Sequence, residues 1–262
     1  MSATRIPIYQ VDAFASRLFS GNPAAVCPLE KWLPDEQMQA IAAENNLAET
    51  AFFVRNGEGY NLRWFTPAVE VDLCGHATLA SAFVIFNEMT PSAQSVQFST
   101  KSGKLVVTRD GDLLSLDFPA RPPMECQVYP GLIAAMGGQP EKVLAARDYL
   151  VVYATETELR SIQPDMNVLH KADRFGVIAT APGTDVDFVS RFFAPAQGVP
   201  EDPVTGSAHC TLIPYWSRRL GKTKLHAYQA SPRGGEIWCE DRGERVTISG
   251  KAVQFLEGTI CL

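Results

Sequence analysis

The chain has 262 residues, 46% of them hydrophobic and 20% charged; that balance is ordinary for a protein that buries a core and excludes extensive disorder. Its net charge is −6 and no Lys/Arg run exceeds two residues, so the basic footprint of a nucleic-acid binder is absent. No segment approaches the roughly 18 apolar residues that span a bilayer, and the first residues lack the charged start and apolar core of a signal peptide. The sequence reads as soluble and cytoplasmic.

In chain order, Ile6 to Phe14 reads as a strand, and Ser20-Gly21-Asn22-Pro23 turns into a second, Ala24 to Cys27. Pro34-Asp35-Glu36 puts a proline and two acids where a helix start favours them, which predicts a helix over Glu36 to Asn45. Glu49 then opens a β-branched and aromatic strand, Glu49 to Val54. Val96 to Phe118 offers three short strands, with Gly103 and Asp110-Gly111 at the turns. Three prolines within Pro119 to Pro123 fit neither a helix nor a central strand and mark a linker. Beyond it, Tyr149 to Ala154 and Phe175 to Ala181 are strand-like and Thr155 to Ile162 is a short helix; from Leu225 onward glycines punctuate further strands, ending in Val253 to Leu256.

One stretch occurs twice. Arg63-Trp64-Phe65-Thr66-Pro67-Ala68 leads to Gly75-His76-Ala77, and Arg191-Phe192-Phe193-Ala194-Pro195-Ala196 leads to Gly206-Ser207-Ala208. The arginines lie 128 positions apart (191 − 63) and the glycines 131 (206 − 75), about half the chain. A period this long implies two similar lobes, since solenoid repeats run to about 20–50 residues. Each copy reads as a strand that a proline ends and a glycine that opens a helix, Ala77 to Phe86 in one and Ala208 to Leu220 in the other, with Pro214 predicted to kink the second. The expected fold is α+β: two pseudo-symmetric lobes, each a curled, mostly antiparallel sheet around a central helix. The lobes are expected at 1–118 and 124–251 with 119–123 between them, and the last strand, about 252–262, is open to joining the first.

The free N–H groups at such helix starts sit at the positive end of the helix dipole and favour an anion, which points to a small carboxylate ligand in a cleft between the lobes. Cys74 and His76 would line one wall, Asp202 and Ser207 the other, an acid/base set that works without a metal. Ser207 lacks the flanking glycines of a nucleophile elbow, and neither dinucleotide nor P-loop glycine patterns occur. Six cysteines show no CxxC spacing and are expected mostly as small buried apolar residues. His170 and His226 are expected as surface or packing residues, and His209 as packed or half-exposed. Glu49 reads either as the solvated first position of its strand or as a carboxylate withdrawn from water, whose raised pKa would suit proton transfer. Local sequence leaves both readings open.

Gly21-Asn22-Pro23-Ala24-Ala25-Val26, Asn46-Leu47-Ala48-Glu49-Thr50-Ala51-Phe52, Cys74-Gly75-His76-Ala77-Thr78 and Glu201-Asp202-Pro203-Val204-Thr205-Gly206-Ser207-Ala208 together resemble the PhzF-like isomerases of phenazine biosynthesis, over nearly the whole chain. The resemblance implies the fold of diaminopimelate epimerase, a homodimer, and no cofactor or metal. It implies an isomerase that moves a proton on a small carboxylate such as a dihydro-hydroxyanthranilate. By motif position Glu49 corresponds to the general acid/base and His76 and Asp202 to its helpers, while Gly75, Gly206 and Ser207, with Cys74 beside them, correspond to groups that hold the substrate. The related epimerases oppose two cysteines. Here only Cys74 matches, so a racemase using Cys74 and a non-catalytic carboxylate binder stand as the alternatives.

Overall fold

Seventeen strands and six α-helices make up the described residues, 4–57 and 59–262, of the computed structural model. In chain order these are β1 (Arg5–Ala13), β2 (Asn22–Leu29), α1 (Asp35–Asn45), β3 (Glu49–Asn56), β4 (Gly59–Phe65), β5 (Glu70–Val71), α2 (Gly75–Val84), β6 (Ser95–Thr100), β7 (Gly103–Asp110) and β8 (Leu113–Pro119). They continue as α3 (Leu132–Met136), β9 (Lys142–Ala145), β10 (Tyr149–Val152), α4 (Glu156–Ser161), α5 (Met166–Leu169), β11 (Val177–Pro182), β12 (Phe188–Ala194) and β13 (Val199–Asp202). The chain closes with α6 (Gly206–Leu220), β14 (Lys224–Gln229), β15 (Gly235–Asp241), β16 (Arg245–Gly250) and β17 (Ala252–Cys261). Among the described residues no helix is long and apolar enough to cross a membrane.

Two compact units divide the chain. The first runs to Asp117 and takes in Ser249–Leu262; the second is Phe118–Ile248. In the first, β2 and β3 are parallel across the α1 connection, β3 and β4 are antiparallel, β4 carries the short antiparallel β5, and β6 returns parallel to β4 before turning antiparallel into β7. The second repeats the succession: β10 and β11 parallel across α4, β11 and β12 antiparallel, β13 short and antiparallel on β12, β14 parallel to β12 and antiparallel to β15. α2 occupies the same place in the first succession as α6 in the second.

Burial explains the elements. β6 and β7 alternate exposed and buried residues, as half-covered antiparallel strands do, whereas β10 is buried throughout, β11 nearly so, and β3 over its Thr50–Phe53 stretch, as parallel strands covered on both faces are. α2 is apolar all round and all but two of its residues are buried, which is the signature of a helix surrounded by its own core. It touches β1, β2, β3 and β17 on one side and β7 on another, so the sheet of this unit curls around it. β17, extending well beyond Leu256, pairs antiparallel with β1 and widens that sheet. In the second unit Leu132, Met136, Tyr149, Tyr153, Val189 and Phe193 belong to one buried cluster.

Pro214 does not end α6, which continues as a single helix from Gly206 to Leu220. A proline removes the N–H that would bond the carbonyl four residues earlier, here that of Cys210. The Arg121 N–H takes up that carbonyl at 2.8 Å, so the defect in the helix becomes the anchor of the proline-rich Pro119–Pro123 segment. Pro119 itself is the last residue of β8 rather than the start of a linker, a terminal position where no ladder donor is missed. α2 likewise differs from expectation: it begins at Gly75, and its last turn widens into a π-helical Ile85–Met89.

Candidate functional site

Three local devices carry Glu49, Cys74 and His76 to one spot. Asn46 caps α1 in the left-handed region (φ 48°), its N–H bonding the Ala42 carbonyl, and this reversal sends the chain into β3 with Glu49 at its first position, opposite Ala24 of β2. Cys74 caps α2 in an extended conformation, and Thr78 returns both N–H and Oγ1 to the Cys74 carbonyl. Gly21 (φ 69°) brings Asn22 in from the opposite side; a Cβ there would run into the Ala13 carbonyl, so only glycine fits this turn.

The resulting cluster is tight. His76 Nε2 lies 3.0 Å from Glu49 Oε2, with side chains only 7% and 17% exposed. Oε2 nevertheless has no well-aligned hydrogen bond, so the contact is a close ion-pair approach off the line of the ring N–H. Cys74 Sγ sits 3.5 Å from Nδ1 and 3.9 Å from Nε2, and the Asn22 amide nitrogen 3.3 Å from Nδ1. Burial opposes ionisation of both partners, but each overcomes it. His76, drawn by Cys74 and Glu49, titrates well above its usual 6.5, and Glu49, facing His76 and the Cys74 thiol, below its usual 4.5. Burial and then the Glu49 charge push the Cys74 thiol up to about 11. Of the two readings open for Glu49, withdrawal from water holds, but its pKa is lowered rather than raised, because the imidazolium beside it outweighs desolvation. At neutral pH the cluster is carboxylate, imidazolium and neutral thiol, with a base ready to accept a proton.

Sign and window follow for stability. The depressed Glu49 contributes stability above 4.5 that is lost as pH falls through its folded value; the raised His76 contributes stability below 6.5 that is lost as pH rises through its folded value. The difference in unfolding free energy between the wild type and His76→Gln should thus be largest between about pH 4.5 and 6.5 and shrink on both sides. Denaturant titrations across pH test this, and a difference independent of pH would rule out the charged pair.

The second unit holds the other expected residues. Thr205 caps α6; its Oγ1 donates to Asp202 Oδ2 at 2.5 Å and its N–H to Gln229 Oε1 at 2.9 Å. Gln229 Nε2 donates in turn to the Asp202 carbonyl and to Thr205 Oγ1. Asp202 is thereby fixed immediately before Gly206 and Ser207, the first two residues of the helix. His209 is fully buried rather than half-exposed, held neutral with a pKa down to about 4 by burial, and its Nδ1 meets the Thr205 carbonyl at 2.8 Å. His170 is exposed, and His226 stacks on Trp238 at 5.2 Å. The cysteines are all free; Cys27, Cys74, Cys210 and Cys239 are buried, and Cys261 is exposed.

The repeat arginines are clamps. Arg63 binds Glu70 through Nε (2.7 Å) and Nη2 (2.9 Å), and Arg191 binds Glu201 through the same two atoms at the same two distances. Each acid stands five residues before its helix glycine (75 − 70, 206 − 201). The bidentate fork therefore ties strand β4 or β12 to the short strand leading into the helix start. Each Nη1 reaches the crossover helix: Asp35 of α1 in one unit, the Leu159 and Ile162 carbonyls around α4 in the other.

Sequence reading missed the role of Asn22, although its Gly21-Asn22-Pro23 motif was visible, and missed the acids Glu70 and Glu201, which the constant Glu-x4-Gly spacing would have revealed. It also missed an asymmetry. Phe52 lies opposite Arg63 and Ala179 opposite Arg191, so the position matching Glu49 in the second unit is Gly176, just before β11. The scaffold is duplicated but the carboxylate is not.

Comparison with known proteins agrees over the full length. The family model described as "Phenazine biosynthesis-like protein", PhzC-PhzF, matches residues 11–258. An uncharacterized isomerase of Pseudomonas aeruginosa is 53% identical over 257 residues, 98% of this chain and 99% of its own. A PhzF-family phenazine biosynthesis protein from Enterococcus faecalis superposes with a TM-score of 0.97 at 50% identity, covering 99% of this chain and 100% of that one. A predicted epimerase from Pseudomonas aeruginosa, 18% identical and with a TM-score of 0.74 over 98% of this chain and 99% of its own, shares the fold. The chain thus belongs to the phenazine biosynthesis-like PhzC-PhzF family and is an isomerase of that family.

Proposed function

We propose that this isomerase works without a cofactor and moves a proton on a small carboxylate substrate, a dihydro-hydroxyanthranilate-like compound being the first candidate, with Glu49 as general acid and base. The observation that carries the reading is the buried Glu49–His76 ion pair. A carboxylate held ionised beside an imidazolium is able to take a proton from carbon, while the imidazolium steadies negative charge as it develops on the substrate. Return of the proton to another carbon completes the isomerisation and restores the pair. Gly75, with the free N–H groups at the start of α2, and Gly206 and Ser207 at the start of α6 are proposed to hold the substrate carboxylate, with Asp202 as a helper that orients the substrate and shares protons. A cytoplasmic homodimer is part of the proposal, and light scattering of the purified protein tests the dimer.

Deuterium uptake from D2O into dihydro-hydroxyanthranilate and a panel of amino and cyclic carboxylic acids, read by mass spectrometry, tests the reading. Exchange in a compound that also isomerises supports it; carboxylates that bind yet never exchange a C–H proton overturn it in favour of a binding protein. The alternative, an epimerase with Cys74 as a base, has the thiol's proximity to His76 in its favour. Its high pKa opposes it. Cys74→Ser is expected to slow turnover by less than about tenfold, roughly 1.4 kcal/mol of barrier, and a loss as large as that of Glu49→Gln would move the chemistry to the thiol.

A further inference from the structure

Glu49, Cys74 and His76 each present one ligand atom, and these atoms all lie within 4.8 Å of one another. We infer that this Cys-His-Glu cluster is a binding site for a thiophilic divalent cation of the Zn2+ class, which occupies the place of the acid/base pair and silences it. The donor set is thiolate sulfur, imidazole nitrogen and carboxylate oxygen, the mixture that suits zinc and its cobalt substitute, and three protein ligands leave a fourth position for water or a competing anion.

Geometry favours it. A tetrahedral ion with bonds of about 2.0–2.3 Å holds its ligand atoms roughly 3.3–3.7 Å apart. Here Nε2 and Oε2 are 3.0 Å apart and Sγ and Nε2 3.9 Å, so small side-chain shifts suffice. Glu49 Oε2 is buried and lacks a well-aligned donor, which leaves a lone pair to be claimed. The backbone needs no reorganisation, since two ligands sit at the capped start of α2 and the third at the first position of β3. Charge also balances: carboxylate, imidazolium and thiol sum to zero, and so do carboxylate, neutral imidazole, thiolate and a dication. The cation replaces two protons and leaves no net charge in the buried cluster.

Cation binding itself does not depend on the proton-transfer reading; only its inhibitory consequence does. The test is Co2+ added to the full chain, reduced with a phosphine in a non-chelating buffer and with no substrate present. One equivalent should bind with the near-ultraviolet sulfur-to-cobalt absorption of a thiolate ligand, and Zn2+ should displace it. Cys74→Ser should lose that absorption, Glu49→Gln should bind at least about tenfold more weakly, and Cys261→Ser, which removes the exposed thiol, should match the wild type. A wild type that takes up no stoichiometric Co2+, an absorption that survives in Cys74→Ser, or an unchanged affinity in Glu49→Gln overturns the inference. Glu49→Gln settles the matter even if Cys74→Ser fails to fold. Deuterium exchange measured separately on metal-free protein keeps a failure of this site distinct from a failure of the catalytic reading.

Discussion

Glu49→Gln is expected to lower turnover by about 100-fold or more, a loss of about 2.7 kcal/mol in transition-state stabilisation, and to abolish deuterium uptake into substrate. The amide keeps the shape of the side chain and its place at the head of β3 but offers no basic oxygen. It also removes the counter-charge of His76, whose imidazole should fall back toward its ordinary range. Two companions separate these effects. Glu49→Asp keeps a carboxylate but withdraws it by one methylene, so it should retain measurable exchange that Gln lacks. His76→Gln keeps the base but loses the charge that holds it ionised, so it should slow turnover less than Glu49→Gln and shift the acid limb of the pH–rate profile upward. Turnover of Glu49→Gln within about threefold of wild type would remove Glu49 from the chemistry.

Arg191→Ala carries the second large effect, on stability. Arg191 and Glu201 are 13% and 16% exposed, and the guanidinium also donates to the carbonyls of Leu159 and Ile162. Truncation strands a mostly buried carboxylate and leaves two carbonyls short of a donor. Together these should cost about 2–4 kcal/mol, or roughly 5–15 °C in melting temperature. Arg63→Ala in the matching clamp should cost less, because Lys101 remains on Glu70 at 2.6 Å and Asp35 is 73% exposed and returns to water without penalty. Thermal and denaturant unfolding of both variants decide the point. Equal losses, or a loss below about 1 kcal/mol for Arg191→Ala, would mean that the forks add little to what strand pairing already holds.

The duplicated arginine stretch gave away the architecture because its residues do local work in both copies. Aromatics fill the core, proline ends a ladder and glycine opens a helix, and each of these leaves a mark in the letters. Glu49 shows the limit of such reading. Its place at the head of β3 was visible, but the direction of its pKa shift depends on His76, 27 residues away, and on the Cys74 thiol beside it. Pro214 shows another limit: the local rule gives the lost donor, but not that Arg121, far off in sequence, takes up the freed Cys210 carbonyl. Long-range partners of this kind are set by packing, and no local pattern records them.

Under the proposed chemistry, Gly176, standing where a second Glu49 would be, restricts the stereochemistry of the proton transfer. Inverting a carbon centre takes a base on one face and an acid on the opposite face. A lone carboxylate addresses one face only, so the proton it lifts and the proton it delivers travel suprafacially, and some of the hydrogen removed from substrate should return to product before solvent replaces it. Under this arrangement a double bond migrates while the configuration at each untouched carbon is kept.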